Sequence, residues 1–278
     1  MYRLVLAIAA LLTPWAGSAT DLPFGADTLP HLIANSDLIV RGPVASALPA
    51  MLGSADDSYA LHAVSVRSAL KGPSLAQSRV PFLVHSYLPV APGASSHAIV
   101  FLMEIDAATA NAIGTNDSIQ HIAVSGGYGV VDIRPAGRLA AISSLIDAGQ
   151  STASLRAWAA AHLTSRDMLL QRSSLQVLYE NLPETWAVSL LAQAILSDTV
   201  SVEHREVAIE MLSGFRVAEA VGALRSLAED RTAPPFLRAS AVRAISHQPG
   251  GRNQLTMWAT SGDATLASIA SSVLADSD

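Results

Sequence analysis

The chain has 278 residues, 50% of them hydrophobic, and a net charge of −6 at pH 7. A net negative charge repels phosphate backbones, so the composition disfavours nucleic acid as a partner. The chain contains no cysteine, which excludes disulfides and a lipid anchor on a cysteine. Its length suffices for two hydrophobic cores of ordinary domain size. We therefore expect two domains that are stabilised by buried apolar surface.

The first predicted element is a secretory signal peptide over residues 1–19. An apolar run from Leu4 to Leu12 is followed by small residues up to Ala19, which is the pattern that signal peptidases cleave. The run is too short to cross a bilayer core, which takes ~20 helical residues. We therefore expect export to a bacterial periplasm or the extracellular space, with no stable membrane insertion after cleavage.

Residues 20–148 are predicted to form a small antiparallel β-barrel. Short β-rich runs are separated by proline and glycine clusters, and Tyr59 to Leu70 shows the two-residue alternation of a strand. Several short strands without long helices between them are typical of such a barrel. The glycine-rich run Ser125 to Gly129 predicts a tight hairpin turn. Strands are predicted over 36–44, 59–70, 79–85, 97–103, 118–124 and 128–133, and short helices over 29–34 and 106–113.

Part of this region resembles the netrin-type OB barrel of tissue inhibitors of metalloproteinases and of many secreted bacterial proteins. The resemblance lies in the stretch NSDLIVRG at 35–42, in a strand ending in LKG at 70–72, and in RVPFLV at 79–84 with AIVFL at 98–102. It implies an OB-type barrel over roughly residues 30–135. In the inhibitors an N-terminal cysteine chelates the protease zinc. Because this chain has no cysteine, the resemblance implies the fold and not that inhibitory mechanism.

The C-terminal half is predicted to be helical, with a linker helix over 149–164 and helical repeats over 165–278. Three helical segments begin with Arg172, Arg205 and Arg238, and both spacings, 205 − 172 and 238 − 205, equal 33 residues. A constant period of this size is typical of helical solenoids. Helices are predicted over 166–179, 184–196, 202–212, 217–227, 234–245, 252–258 and 264–274.

The repeated pattern resembles HEAT repeats, including the short variety called PBS-lyase-like. In it an aspartate precedes a helix that carries arginine, alanine and leucine at fixed offsets. Asp198, Asp230 and Asp263 recur in step with the repeats and are predicted to cap helix N-termini. The resemblance implies protein binding or a structural role, and it does not imply lyase activity.

The repeated arginines, Arg172, Arg205 and Arg238, are the candidate partner-binding residues. If they project from one side of the stacked helices, they would line an extended surface for a protein or peptide. The alternative is that each arginine forms a structural salt bridge within a helix or between repeats.

The sequence contains no recognisable motif for catalysis, metal binding or a cofactor. His-Glu-x-x-His, His-x-His and Gly-x-Ser-x-Gly are absent, as are the glycine-rich motifs that bind dinucleotides and nucleoside triphosphates. We therefore predict no catalytic residue, no metal and no cofactor. An alternative stays open, in which a hydrolase or enzyme-inhibitor site lies on the barrel near His62, His85 and the run Ser125 to Gly129.

Together these patterns predict an exported α+β protein with two domains. An OB-like β-barrel is followed by an all-α HEAT-like solenoid. Because each repeat of a solenoid packs only on its neighbours, the stack presents an extended binding surface. We predict a non-enzymatic protein-binding or scaffold protein whose partner is a protein or peptide.

Overall fold

The computed structural model describes residues 27–53, 58–75, 78–85, 97–115, 119–149 and 151–276. Within these ranges the chain is α+β, as predicted, with a mixed sheet in the N-terminal half followed by helices. The predicted signal peptide, residues 1–19, lies outside the described ranges. The strands are β1 (Leu38–Gly42), β2 (Val44–Gly53), β3 (Ser58–Ser65), β4 (Ser68–Lys71), β5 (Arg79–His85), β6 (Ala98–Glu104), β7 (His121–Ala123) and β8 (Val130–Asp132).

The strands pair in the order β2-β3-β5-β7-β6-β1-β4, and β8 also pairs with β6. Pairing is antiparallel except between β5 and β7, which are parallel at Leu83 and Ile122. β7 and β8 lie along successive parts of β6 in the same direction. The prediction of a hairpin turn at 125–129 is therefore wrong. The strands on either side of this turn, β7 and β8, run in the same direction and both pair with β6, so the turn does not reverse the chain.

The two faces of the sheet bury different apolar clusters, because side chains alternate along a strand. One face buries a cluster of mainly valine, leucine and phenylalanine side chains that includes Phe82 and Val100. The opposite face packs at β3 and β5 against Ile113 and Ile119. Farther along this second face, at β1 and β6, the side chains of Ile39, Ile99 and Phe101 pack against helices.

The described residues contain eleven α-helices, and the predicted repeat helices agree with them to within two residues at each end. Several begin at a side-chain cap, as Asp167 does for α5 and Ser201 for α7. The helices are α1 (Leu29–Ala34), α2 (Ala107–Ile113), α3 (Arg138–Ala148), α4 (Thr152–His162), α5 (Met168–Glu180), α6 (Thr185–Leu196), α7 (Val202–Ser213), α8 (Ala218–Glu229), α9 (Pro235–Ser246), α10 (Gly251–Ala259) and α11 (Ala264–Ala275).

The predicted capping role of the repeated aspartates holds at one of three positions. Asp263 caps α11 and accepts a hydrogen bond from the Leu266 amide at 3.0 Å. Asp198 lies in the loop before α7, whose N-cap is Ser201. Asp230 follows the last turn of α8 and accepts from Thr232 instead. The prediction is wrong for Asp198 and Asp230 because the loops between helices are longer than a capping turn.

From α5 onward each helix contacts the next helix along the chain and, for most of them, the next but one. Contacts of the second kind join α5 to α7, α6 to α8, α7 to α9 and α9 to α11. Alanines at the contacts, such as Ala208 and Ala241, are fully buried and let the backbones approach closely. The helices therefore form two rows, with α5, α7, α9 and α11 in one row.

One apolar cluster joins the sheet to the helices. It includes Phe101 of β6, Ile142 of α3, Trp158 of α4 and Leu175 of α5. Arg138 reinforces this junction because its guanidinium donates to both carboxylate oxygens of Asp167, at 2.6 and 2.7 Å. Residues on both sides of the predicted boundary at position 148 thus share a hydrophobic core.

Candidate functional site

Two of the repeated arginines make the same contact with the preceding helix. Nε of Arg205 donates to the Ile195 carbonyl and Nε of Arg238 donates to the Ala228 carbonyl, both at 2.9 Å. Each carbonyl lies ten residues before its arginine and in the last turn of a helix, where backbone carbonyls have no partner within that helix. The arginine therefore ties the end of one helix to the next helix in the chain.

The same two side chains also bond to aspartates that lie outside the bodies of the helices. Arg205 bonds to Asp198 at 3.2 Å, and Arg238 bonds to Asp263 at 2.6 Å. Arg205 and Arg238 are only 4% and 3% exposed. Their N–H groups donate to partners within the chain. This is the arrangement expected if each arginine forms a structural salt bridge and does not contact a partner protein.

Arg172, the first arginine of the series, has a different partner. Its Nη1 donates to Asp27 at 2.6 Å, and 35% of its side chain is exposed. Asp27 belongs to the segment that enters α1, so the contact crosses from the helical half to the N-terminal half. The three arginines are not brought together, since each belongs to a separate repeat, and the partner surface through them stays a prediction.

A buried polar network lies beside Arg172. Oε1 of Gln171 accepts from Nδ1 of His204 at 2.6 Å and from the Ser201 amide at 3.0 Å. Burial, and then the positive charge of Arg172, lower the pKa of His204. His204 is therefore neutral at neutral pH, and it joins α7 to α5 as a hydrogen-bond donor.

A shallow groove of about 290 Å³ runs between α7 and α9. Glu206 and Glu210 line its α7 wall, and Arg243 and His247 line its α9 wall. All four are exposed. Both pairs are spaced by four residues, which places the members of each pair on one side of their helix. This groove was not predicted from the sequence, although the charged pairs spaced by four residues in the predicted helices were a signal for it.

The floor and the rim of the groove differ in polarity. Ile209 and Ala244 form a buried apolar floor. At the rim Ser240 contacts a carboxylate oxygen of Glu206 at 3.5 Å, and Arg243 donates to Ser240 at 3.4 Å. These contacts are long, so the charged groups are held loosely and stay available to another molecule.

The histidines of the alternative barrel site do not converge. The ring of His62 stacks on Phe82, with centroids 5.8 Å apart, whereas the ring of His85 packs edge-on against Tyr59 at 5.0 Å. Residues 59 and 62 lie on opposite faces of β3 because they are three positions apart. Burial lowers the pKa of His62. The two histidines therefore cannot act together on one substrate.

The glycine-rich run between β7 and β8 forms a compact turn. Ser125 and Gly126 both have positive φ, 53° and 59°. A side chain at Gly129 would meet the Val124 carbonyl at 2.3 Å, so the backbone is closely packed at this point. Tyr128 is half exposed. The run thus serves to pass the chain from β7 to β8.

A second cluster of polar side chains, besides the one around Gln171 and His204, lies at the end of β6. His121 pairs with Glu104 across the sheet, and the Glu104 amide donates to Asp37 at 2.9 Å. Burial lowers the pKa of His121 although the two carboxylates oppose that shift. In the part of the chain that the structure describes, no group of three or more histidine and carboxylate side chains is placed to hold a metal ion.

The comparisons with known proteins name no relative. No protein-family model, curated protein or solved structure matches the chain. Among the helices of the described ranges, none has the length and apolar character needed to cross a membrane. The function must therefore be inferred from the geometry of the chain itself.

Proposed function

We propose that this chain is an exported, non-enzymatic protein-binding or scaffold protein that binds a protein or peptide on its helical repeats, residues 165–278. The observation that carries the proposal is that Arg205 and Arg238 each make the same contact with the end of the preceding helix. Each ties a helix end to the next repeat at the same offset. A repeated tie of this kind builds an extended stack, and such stacks serve as binding surfaces.

A HEAT-like solenoid is the repeat architecture that we propose. The 33-residue period of the arginines and the contacts between alternate helices support it.

We further propose that the N-terminal sheet is a closed OB-like barrel. Only Pro43 separates β1 from β2, and only two residues separate β3 from β4. If β1 and β2 are counted as one bent strand, and β3 and β4 as another, the pairing runs from β2 through β3, β5, β7 and β6 and returns to β1. A barrel of this kind supports the helices through the outer side of β1 and β6.

Export is proposed from the sequence pattern of residues 1–19 alone. The apolar run and the small residues that follow it are those of a cleaved signal peptide. N-terminal sequencing of the protein from its host, with a start at residue 20 expected, tests this part independently.

The function is tested by capture of the full tagged chain from cells of its host after chemical cross-linking. We expect a reproducible protein partner whose cross-links fall on residues 165–278. Cross-links confined to the sheet would contradict the proposed binding surface. If no partner is captured, the proposal of a binding protein fails, and the sheet should then be screened for hydrolase and inhibitor activity.

A further inference from the structure

We propose that the groove between α7 and α9 binds a short basic segment of a partner protein. In this arrangement a lysine or arginine side chain of the segment lies between the carboxylates of Glu206 and Glu210. The inference rests on the proposed function and names the part of the repeat surface that performs it.

The first repeat shows that a helix of this row can hold a short segment on its outer side. Ser173 precedes Glu206 by 33 residues, so the two occupy equivalent positions. Ser173 is fully buried and accepts a hydrogen bond from the Leu29 amide at 2.9 Å. The segment seated there is α1, which packs on α5. At this position the first repeat is covered by the chain itself.

The second repeat has the equivalent position exposed, and its chemistry has changed. Where α5 has the hydroxyl of Ser173, α7 has the carboxylate of Glu206, with Glu210 one turn later. A hydroxyl suits a backbone amide, whereas two neighbouring carboxylates suit a cation. The groove is near the lower end of ligand-pocket volumes, ~300–1,000 Å³, which fits side chains of a peptide better than a large cofactor.

The charges of the groove favour a basic side chain over an acidic one. Two carboxylates, those of Glu206 and Glu210, face the single guanidinium of Arg243, so the carboxylates outnumber the guanidinium by 2 − 1 = 1. Arg243 also donates to Ser240 within its own wall. The apolar floor of Ile209 and Ala244 can cover the aliphatic stem of lysine or arginine while its charged end meets the carboxylates.

The test is a selection of peptides from a phage-displayed random dodecapeptide library on the full chain. We expect enriched peptides to carry lysine or arginine beside apolar residues. A selected peptide, labelled with fluorescein, should bind the variant E206Q/E210Q at least ~10-fold more weakly by fluorescence anisotropy. Its affinity for the parent chain should also fall as salt is raised.

The matched control is E219Q, which removes a carboxylate from α8 without altering the groove. Oε2 of Glu219 accepts from Ser189, and glutamine can keep that bond, so peptide binding should be unchanged. Because the substituted residues are exposed, the variants should unfold at nearly the same urea concentration as the parent, which circular dichroism verifies.

Three outcomes would overturn the proposal. They are enrichment of peptides without basic residues, equal binding of the basic peptides by E206Q/E210Q and the parent, and failure of the library to enrich any peptide. If one of these occurs while a captured partner still cross-links to residues 165–278, only the groove proposal fails. If cross-linking also finds no partner, the proposed function fails with it.

Discussion

The contact of Arg238 with the end of α8 allows a sharp test of what the repeated arginines do. In the variant R238A the Ala228 carbonyl loses the donor that lies 2.9 Å away. Asp263 loses one partner but keeps the Leu266 amide and Arg231, the latter at 3.5 Å. The substitution therefore affects mainly a buried helix end and the volume that the arginine side chain fills.

The magnitude follows from the burial of the side chain. A hydrogen bond from a charged group contributes ~1.5–3 kcal/mol, and a buried carbonyl that loses its partner adds a penalty of similar size. Burial of a charged guanidinium costs desolvation energy, and Arg238 is only 3% exposed. Because the variant no longer has this cost, part of the loss is offset. We expect R238A to lower the free energy of unfolding by about 3 kcal/mol. In a chain of this size that lowers the melting temperature by roughly 6–12 °C.

Urea unfolding followed by circular dichroism measures the change, with R231A as the matched control. Arg231 contacts the same carboxylate as Arg238, but 74% of its side chain is exposed. An exposed ion pair contributes little, so R231A should stay within ~0.5 kcal/mol of the parent. If R238A and R231A unfold at the same urea concentration, the buried contact does not stabilise the helical half and our reasoning is refuted.

Three further predictions concern pH and the junctions of the helices. Because burial lowers the pKa of His204, the unfolded chain binds more protons below pH 6.5. The melting temperature should therefore fall as the pH drops from 6.5 toward 5, and less steeply in H204Q; a flat profile in the parent would contradict this. A double-mutant cycle of R172A and D27N should give a coupling of ~1 kcal/mol, and additive effects would show that this ion pair does not join the halves. W158F removes the donor that bonds the Ala141 carbonyl at 2.8 Å; it should cost ~1 kcal/mol in urea unfolding, and an unchanged midpoint would exclude a stabilising bond.

The sequence predicted the helical half well because the repeat period and the apolar pattern agree with each other. Strand β2 was missed, since Val44–Gly53 is rich in alanine and contains Pro49, and pairing with β3 overrides those weak local preferences. Helix α3 was also missed. It begins after Gly137 without a side-chain cap, and its position depends on the distant Trp158.

The candidate site was harder to predict than the fold. The sequence marked Arg205 and Arg238 as repeated, but their burial depends on which helix end each one meets in space. The groove combines Glu206 of α7 with Arg243 of α9, and their proximity follows from the packing of these two helices on each other. Such pairings become visible only when the stacking of the helices is known.

The core shared by the sheet and the helices constrains how such a protein can evolve. Leu29 and Phe101 from the sheet half and Leu175 from the helical half belong to the same apolar cluster. A gene fusion that exchanged either half would leave these side chains facing a mismatched surface and would cost several kcal/mol for each large cavity. We therefore expect the two halves to be inherited as a pair, with substitutions at their junction compensated across it.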